Sequence, residues 1–406
     1  MRVDWRLKIG VALMACLPGL VLRLSGIELE PLVAVLVFGS GVVSAAFLLA
    51  WAAETAEADV SASLAVAVLA FIAVLPEYAV DLYFAFAAGS KPEFAQYAAA
   101  NMTGANRLLL GLGWPLVVLV FVVASRRKGR RVSAIELAPR RRLELGFLAV
   151  ASVYSFVIPL TRRLSLIDSV ILLTLFALYV RGAARQPRTH PEFMGVAAVL
   201  AALPRSRRRT VVGALFVAAA ATILAAAEPF AEGLVATGHQ FGINEFLLVQ
   251  WLAPLASEAP EFIVACLWAA RLKQDAAMGT LLSSKVNQWT LLIGTIPIAY
   301  ALGGGGFALG LDGRQTEEVL LTAAQTVLGF AILSNLRCSL KEGIALFALF
   351  ALQFPFPQPE VRLFFSALYL LIAAVLLVRG RGALRPILSE IRPRRGRVDT
   401  RESPLD

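Results

Sequence analysis

Long apolar runs are the feature that most constrains this chain. They recur along its 406 residues, and each spans roughly 17–28 residues, the length at which a helix crosses the hydrocarbon core of a bilayer. The runs are continuous and do not alternate, so they predict helices and not the strands of a membrane barrel. Charged residues form only 16% of the chain, compared with about a quarter in soluble domains. We therefore predict an all-α polytopic membrane protein.

About twelve transmembrane helices are predicted from these runs. The first follows a basic start but lacks a small-residue cleavage site, so we expect it to be retained and not removed as a signal peptide. The eleventh is short. The predicted spans are 8–23, 31–53, 61–88, 95–124, 144–160, 165–181, 210–236, 243–269, 276–302, 317–336, 342–354 and 361–379.

The orientation follows from the basic residues between the spans, which account for the net charge of +10. An N-terminus on the cytoplasmic side places every arginine cluster inside, as the positive-inside rule requires. This predicts a multi-pass protein of the cell (plasma or inner) membrane with both termini cytoplasmic. Membrane lipids are the partners that such clusters indicate, and nucleic acid is not. The clusters lie at 126–131, 140–142, 205–209 and 392–397.

Two segments of the chain resemble each other. Each contains a long helix interrupted by Pro-Glu, then a short loop, then a helix that opens with small and polar residues. The predicted topology puts the loop 89–94 outside and the loop 270–275 inside, so the two copies are inverted. Inverted repeats with broken helices are typical of secondary transporters. The matched pairs are Pro76 and Pro260, Glu77 and Glu261, Asn101 and Thr280, and Asn106 and Lys285.

The residue types at the repeats suit cation binding. A mid-helix proline frees a backbone carbonyl, which in a membrane must face protein or a wet cavity. A carboxylate near the bilayer centre costs at least about 2.5 kcal/mol, so two at matched positions indicate a function. Asp81 lies four residues after Glu77, and Glu258 three before Glu261, which places each pair on one helix face. Neutral oxygen ligands would come from Ser257, Asn101, Asn106, Thr280, Ser283 and Ser284.

Less specific interpretations stay open at these positions. The prolines can simply kink their helices, the neutral side chains can serve interhelical packing, and the two glutamates can form internal salt bridges. Glu228 and Glu232 lie near the outer end of their span and suggest a vestibule or interface role. His239 is predicted to lie in a loop and receives no role.

These motifs resemble the calcium/cation antiporter superfamily, whose best-known branch is the sodium/calcium exchangers. That family has two inverted α-repeats, each with a G-T-S-L-P-E-like stretch followed by a G-N-x-x-G-S-N-like stretch. The second copy here reads A-S-E-A-P-E at 256–261 and G-T-L-L-S-S-K at 279–285. The first copy reads I-A-V-L-P-E at 72–77 and A-N-M-T-G-A-N at 100–106, with a connection about five residues longer.

The resemblance implies a division of the chain and a function. Glu77 and Glu261 would be the central cation ligands, with Ser257, Asn101 and Thr280 nearby, and Ca2+ would be exchanged for Na+ or H+ by alternating access. The expected parts are an extra N-terminal helix (1–30), a first exchanger half (31–181, α-repeat about 60–124), a basic cytoplasmic linker (182–209), a second half (210–354, α-repeat about 242–302), an extra C-terminal helix (355–380) and a basic cytoplasmic tail (381–406).

Several positions depart from the family pattern. Ala73 and Val74 lack the hydroxyl groups that the family directs toward sodium, and Lys285 stands where the family has Asn. Arg107 directly follows the matching Asn106. We therefore expect Lys285 and Arg107 to compensate charge by pairing with Glu258 or Asp81, with fewer sodium sites and proton coupling through the acids.

Other functions are weighed on the same residues. A sodium/proton exchanger on this fold is the main alternative, and a membrane protein that has lost transport is another. An enzyme is not predicted, because the chain has two histidines and no metalloprotease or phosphotransferase motif. No cofactor is expected, and the partners are inorganic cations.

Overall fold

The computed structural model describes residues 5–59, 75–186, 193–354, 356 and 358–391. Ala73 and Val74 lie outside these residues. The described helices are α1 (Trp5–Ser25), α2 (Pro31–Ala56), α3 (Leu75–Ala88), α4 (Ala95–Leu108), α5 (Trp114–Arg127), α6 (Arg142–Tyr154), α7 (Val157–Thr161), α8 (Leu166–Ala183), α9 (Gly195–Ala201), α10 (Arg205–Phe241), α11 (Glu245–Ala270), α12 (Gln274–Asn287), α13 (Ile293–Leu302), α14 (Gly313–Leu333), α15 (Leu340–Ala351), α16 (Pro359–Arg379) and α17 (Arg381–Ile391).

Each predicted span corresponds to a helix, to consecutive helices or to the described part of one. Within the described residues, nine helical segments are long and apolar enough to cross a membrane. The remaining spans correspond to α3, to α12 with α13, and to the short α15. The prediction of a polytopic all-α membrane protein is confirmed. The nine segments are 5–25, 31–56, 92–127, 139–161, 166–183, 205–241, 245–270, 313–333 and 359–379.

Four short strands tie the two halves together at opposite ends. β1 (Ala134–Glu136) pairs with β4 (Arg337–Ser339), and β2 (Arg163–Ser165) pairs with β3 (Ala308–Gly310), both antiparallel. In the first half, α6 and α7 lead from β1 to β2, whereas α14 in the second half leads from β3 to β4. Helices in the same place in the two halves therefore run in opposite directions. This is the inversion that the repeats predict.

The strand pairing also agrees with the predicted sidedness. β1 and β4 lie in segments that the basic residues place on one side of the membrane, and β2 and β3 lie in segments that they place on the other. Three-residue strands are too short for sequence patterns to predict. Each pair nevertheless links one half of the chain to the other.

Local details repeat between the halves as well. A single π-helical turn follows α4 at Leu109–Gly113, and another follows α12 at Gln288–Leu292. The helices after β2 and β4 both start with a capping box, formed by Ser165 with Asp168 and by Ser339 with Glu342. Such boxes satisfy two orphan N–H groups at a helix start. The structural repeat therefore extends well beyond the Pro-Glu helices.

The C-terminal end of α10 differs from the prediction. α10 continues to Phe241, so His239 lies in its last turn and not in a loop, with Nδ1 2.9 Å from Glu245 Oε1. At the opposite end of α10, Arg208 donates to both carboxylate oxygens of Asp59, each at 2.7 Å. These bonds lower the pKa of the Asp59 carboxyl group.

Candidate cation-binding site

Two proline-containing helices, α3 and α11, carry four carboxylates, of which three are buried and Glu261 is half-buried. Pro76 lies in the first turn of α3, and the side chains of Glu77 and Asp81 on that helix are buried, with 3% and 0% exposure. α11 contains Pro254 and Pro260 within its length. Its Glu258 is 2% exposed. The structure therefore brings predicted acids of both halves into the protein interior.

The carboxyl groups of the two repeats interact with one another. Electrostatic interactions join Glu77 to Glu258 and Glu258 to Glu261. Gln288 Nε2 donates to Glu258 Oε1 at 2.7 Å. Neighbouring carboxylates repel each other when both are ionised, and a proton on one of them removes that repulsion. This arrangement therefore suits a site that can carry protons.

Asp81, on the same helix as Glu77, makes a separate contact with α4. Its Oδ1 accepts a hydrogen bond of 2.8 Å from Asn101 Nδ2 on α4. Glu77 interacts electrostatically with Asp81, so this pair borders the glutamate cluster. Two residues that were predicted as ligands, Asp81 and Asn101, are therefore in contact.

Each of the four carboxylates has one buried oxygen without a hydrogen-bonding partner among the described residues. Buried polar atoms normally have partners, because leaving them unpaired is costly. Three side-chain amide oxygens of α4, α12 and the π-helical turn after α12 are also buried without a hydrogen-bonding partner. In the described part of the chain, no three acidic, histidine or cysteine side chains are close enough to hold one ion by themselves. The unpartnered oxygens are Glu77 Oε1, Asp81 Oδ2, Glu258 Oε2, Glu261 Oε2, Asn101 Oδ1, Asn287 Oδ1 and Gln288 Oε1.

Lys285 places a cation beside these acids. Its side chain is fully buried, and Nζ donates to the backbone oxygen of Asn106 at 2.6 Å and to Asn106 Oδ1 at 3.0 Å. It interacts electrostatically with Glu77 and Glu258. Asn106 and Lys285 are the matched residues of the two repeats, so the pseudo-two-fold axis that relates the halves passes close to this contact.

The predicted neutral ligands are divided by the structure. The Ser284 hydroxyl lies beside Glu261, and Ser257 is buried next to Glu258 with its hydroxyl donating to backbone oxygens of its own helix. The Thr280 hydroxyl likewise donates to Ala276 O, at 3.1 Å. The Asn106 side-chain oxygen accepts from Lys285, so it is not free for an ion in this arrangement.

The expectation that Arg107 pairs with Glu258 or Asp81 is wrong. Its Nη1 donates to Glu318 on α14 and its Nη2 to Gln353, so its charge is compensated away from the site. Glu228 and Glu232 also lie elsewhere. They contact Arg23 and the Tyr83 hydroxyl, respectively.

Gln288 is the most important site residue that the sequence analysis missed. It is fully buried and starts the π-helical turn after α12, whereas its counterpart after α4 is Leu109. Because the repeat match ended at Lys285, the search for shared positions passed over it. The signal available was the polar run S-S-K-V-N-Q at 283–288 inside an apolar span.

Comparisons with known proteins bear on this geometry. The sequence model of the family described as "Sodium/calcium exchanger protein" matches residues 30–183 and 211–356, well over half of the chain. The chain belongs to the sodium/calcium exchanger protein family. The match confirms the predicted resemblance to calcium/cation antiporters. No curated protein sequence matches the chain.

Solved structures of exchangers are similar to this family member. The crystal structure of the H+/Ca2+ exchanger CAX is 44% identical, with a TM-score of 0.90, and the match covers 96% of this chain and 98% of that one. The Ca2+/H+ antiporter protein YfkE is 15% identical with a TM-score of 0.61, over 89% of this chain and 99% of its own. The sodium-calcium exchanger NCX_Mj is 17% identical with a TM-score of 0.51, over 84% and 99%. The last two likenesses concern the fold alone.

Proposed function

We propose that this exchanger moves Ca2+ across the membrane in exchange for protons, by alternating access to the site between α3 and α11. The observation that carries the proposal is a cluster of four carboxylates, of which three are buried and Glu261 is half-buried, each with one buried oxygen that lacks a partner among the described residues. Ca2+ takes about six to eight oxygen ligands. The region holds seven unpartnered carboxylate and amide oxygens, which would have to converge when the ion binds. The 44% identity to the H+/Ca2+ exchanger CAX supports the same pair of ions.

The charges explain why protons suit the exchange. Four carboxylates and the Lys285 ammonium leave three negative charges when all acids are ionised. A buried charge is costly unless it is neutralised, so the site must hold cations in every state. One Ca2+ or two protons neutralise the same charge. The site therefore has the same net charge with Ca2+ bound as with two protons bound.

The proposed ligands are ranked by their positions. Glu77, Glu258 and Glu261 form the centre, and Asp81 with Asn101 lies on one side of it. Ser257 and Ser284 adjoin the central acids, while Thr280 and Asn106 are peripheral because their side-chain groups are engaged. Lys285 compensates charge at the centre. No cofactor or catalytic residue is needed for this cycle.

A sodium/proton exchanger on the same fold is the second candidate. The buried Lys285 ammonium takes the place and supplies the positive charge of a second metal ion. The site therefore needs to bind fewer cations, which favours monovalent exchange. The proposal also retains the predicted orientation, with both termini cytoplasmic and the exposed arginines at 126–131 facing anionic lipid head groups.

Transport in proteoliposomes tests the proposal. Radiolabelled Ca2+ uptake would be driven first by a pH gradient and then by a sodium gradient, with wild type, Glu77→Gln/Glu261→Gln and the surface control Glu136→Gln. We expect uptake with the pH gradient alone, its loss in the double variant, and no change in the control. Uptake only with the sodium gradient would contradict proton coupling. Absence of Ca2+ uptake with either gradient would leave sodium/proton exchange, measured in the same vesicles, as the function.

A further inference from the structure

A buried arginine on α4 pairs with a carboxylate on α14. We call α4 and α12, which carry Asn106 and Lys285, the site helices. Arg107, which is 3% exposed, contacts Glu318 Oε2 and Gln353 Oε1, each at 2.5 Å. Its guanidinium group lies 5.0 Å from the centre of the Trp251 ring. Gln250 on α11 donates to Glu318 Oε2 at 3.0 Å and thereby joins a third helix to the pair. We call this set of residues the outer brace, because the predicted topology places it on the outer side.

A related cluster lies beside the site helix of the second half. Arg141 contacts Glu144 Oε1 at 3.0 Å and Asp275 Oδ2 at 3.2 Å, and it donates to Asp275 O at 3.0 Å. Asp275 lies in the first turn of α12. The Arg141 guanidinium packs so closely on Gly279 that a Cβ there would lie 2.1 Å from it. These residues are called the inner brace.

The carboxylates of the two braces occupy equivalent places in the inverted halves, although Arg107 lies on α4 and Arg141 lies just before α6. Glu144 lies 21 residues before the capping residue Ser165, and Glu318 lies 21 residues before its counterpart Ser339. The residues 14 positions after the two capping serines correspond as well. These are Tyr179, which interacts with Glu144 and Ser283, and Gln353, which contacts Arg107.

The outer brace includes a helix that lies beyond the family match, which ends at residue 356. On α16, Arg362 Nη2 is 2.8 Å from Glu317 Oε2, and its Nη1 is 3.8 Å from Glu318 Oε1. The Tyr369 hydroxyl on the same helix accepts a hydrogen bond from Gln353. α16 therefore contacts both partners of Arg107. The extra C-terminal helix is therefore linked to α4 by polar contacts through Glu318 and Gln353, in addition to any packing on the outside.

We infer that the outer brace, completed by α16, is a positioning device for the cation site, and that the inner brace holds α12 in the same way. Arg107 directly follows Asn106, the residue that holds the Lys285 ammonium. A shift of Arg107 moves the Asn106 carbonyl, and with it the cation that neutralises Glu77 and Glu258. The inference rests on the proposed function for the ion, but the brace itself is a property of the fold.

A conservative variant separates the hydrogen-bonding geometry of Arg107 from its positive charge. Arg107→Lys keeps the charge but loses the planar fork that reaches Glu318 and Gln353 together. We expect the KM for Ca2+ uptake to rise about tenfold with Vmax changed less than about twofold, because binding geometry and not the transport step is altered. Arg208→Lys is the matched control, since it changes an arginine–aspartate pair that touches neither site helix.

The part played by α16 is tested in the same assay. Tyr369→Phe removes the hydroxyl that Gln353 contacts, and we expect a rise in KM of about threefold. Because Tyr369 and Arg107 act through one chain of contacts, the double variant should have the KM of Arg107→Lys and not the product of both effects. Full additivity would show that α16 acts by another route and would overturn its inclusion in the brace.

Hydrogen exchange measured by mass spectrometry keeps the inference testable if the ion is wrong. Exchange of amides in 95–108 should be faster in Arg107→Lys than in wild type and unchanged in Arg208→Lys. If wild type takes up no Ca2+, the proposed function fails while this comparison still decides the brace. Unchanged exchange in 95–108, or an equal KM rise in the control, would overturn the inference.

Discussion

The site helices α4 and α12 hold the same place in the two halves and differ where they cross. Both run 14 residues before a π-helical turn. At the crossing, α4 presents the neutral amide of Asn106, whereas α12 presents the ammonium of Lys285. After the crossing, α12 continues into the polar Gln288 and α4 continues into Leu109.

The difference shows that a repeated backbone can hold an unrepeated charge pattern. Strand pairing, capping boxes and π turns follow the pseudo-two-fold axis, because they concern how helices start and pack. The charges do not follow it: the additional acid of the first half is Asp81, and that of the second is Glu258. The scaffold therefore supplies two equivalent proline-containing helices, while the side chains decide what the space between them holds.

Removal of the ammonium is the strongest way to break this comparison. Lys285→Gln makes the two helices alike at the crossing and leaves one more uncompensated negative charge beside Glu77 and Glu258. We expect proton-driven Ca2+ uptake to fall more than about tenfold and Na+ to gain affinity for the site. Sodium at about ten times its Kd would then stabilise the variant by roughly 1.4 kcal/mol, and wild type by much less.

Thermal unfolding in detergent at increasing NaCl, with choline chloride at equal ionic strength, measures the sodium effect. Lys341→Gln serves as the control, because Lys341 is exposed on α15 and away from the acids. Identical sodium dependence and an identical pH dependence of transport in wild type and Lys285→Gln would show that Lys285 does not stand in for a transported cation.

Alanine at a second pair of matched positions sharpens the comparison of packing. A Cβ at Gly104 would lie 1.8 Å from the backbone oxygen of Gln250, so α4 and α11 must separate in Gly104→Ala. Overpacking typically costs about 1–3 kcal/mol, and we expect the upper end because backbone cannot rotate aside. Its counterpart Ser283→Ala only removes a hydrogen bond with Tyr179, worth about 1 kcal/mol.

Unfolding temperature and Ca2+ uptake would be compared in both variants. The expected order is a larger loss of stability in Gly104→Ala, together with a loss of uptake, because Gln250 also contacts Thr103 on the site helix. A Gly104→Ala protein as stable as Ser283→Ala would mean that α4 and α11 do not pack closely in the membrane.

Much of the fold was predictable from the sequence because bilayer thickness sets the length of each apolar run. The inversion followed from counting spans between two Pro-Glu motifs. The acids of the site, Glu77 and Glu261 with Asp81 and Glu258, stood out because carboxylates are rare in such runs. These residues were found from local pattern alone.

Other features depend on contacts between distant parts of the chain. The partner of Arg107 lies 211 residues away on α14, and no local pattern distinguishes Glu318 from an acid at a helix start. The sequence analysis assigned Arg107 to the nearest acids of the repeats, Glu258 or Asp81, and this assignment was wrong. The capping boxes were visible as S-x-x-D and S-x-x-E, and searching for their spacing would have extended the repeat to the last helix of each half.

The capping boxes offer the smallest test of the comparison between the halves. Ser165→Ala and Ser339→Ala each remove an N-cap side chain, a change that costs about 1 kcal/mol. The geometries are close, since the hydroxyl oxygens lie 2.5 and 2.6 Å from the carboxylates of Asp168 and Glu342.

However, Asp168 also accepts a hydrogen bond of 2.6 Å from the Tyr154 hydroxyl. Without the serine hydroxyl, Asp168 keeps two partners, the backbone N–H at 165 and Tyr154, whereas Glu342 keeps the backbone N–H at 339. We therefore expect Ser165→Ala to be the milder variant by a few tenths of a kcal/mol. Thermal unfolding of both variants beside Tyr154→Phe/Ser165→Ala measures the difference. If the Tyr154 hydrogen bond is the reason, the double variant should lose at least as much stability as Ser339→Ala. A double variant that remains milder would assign the difference to the strands that precede the two helices.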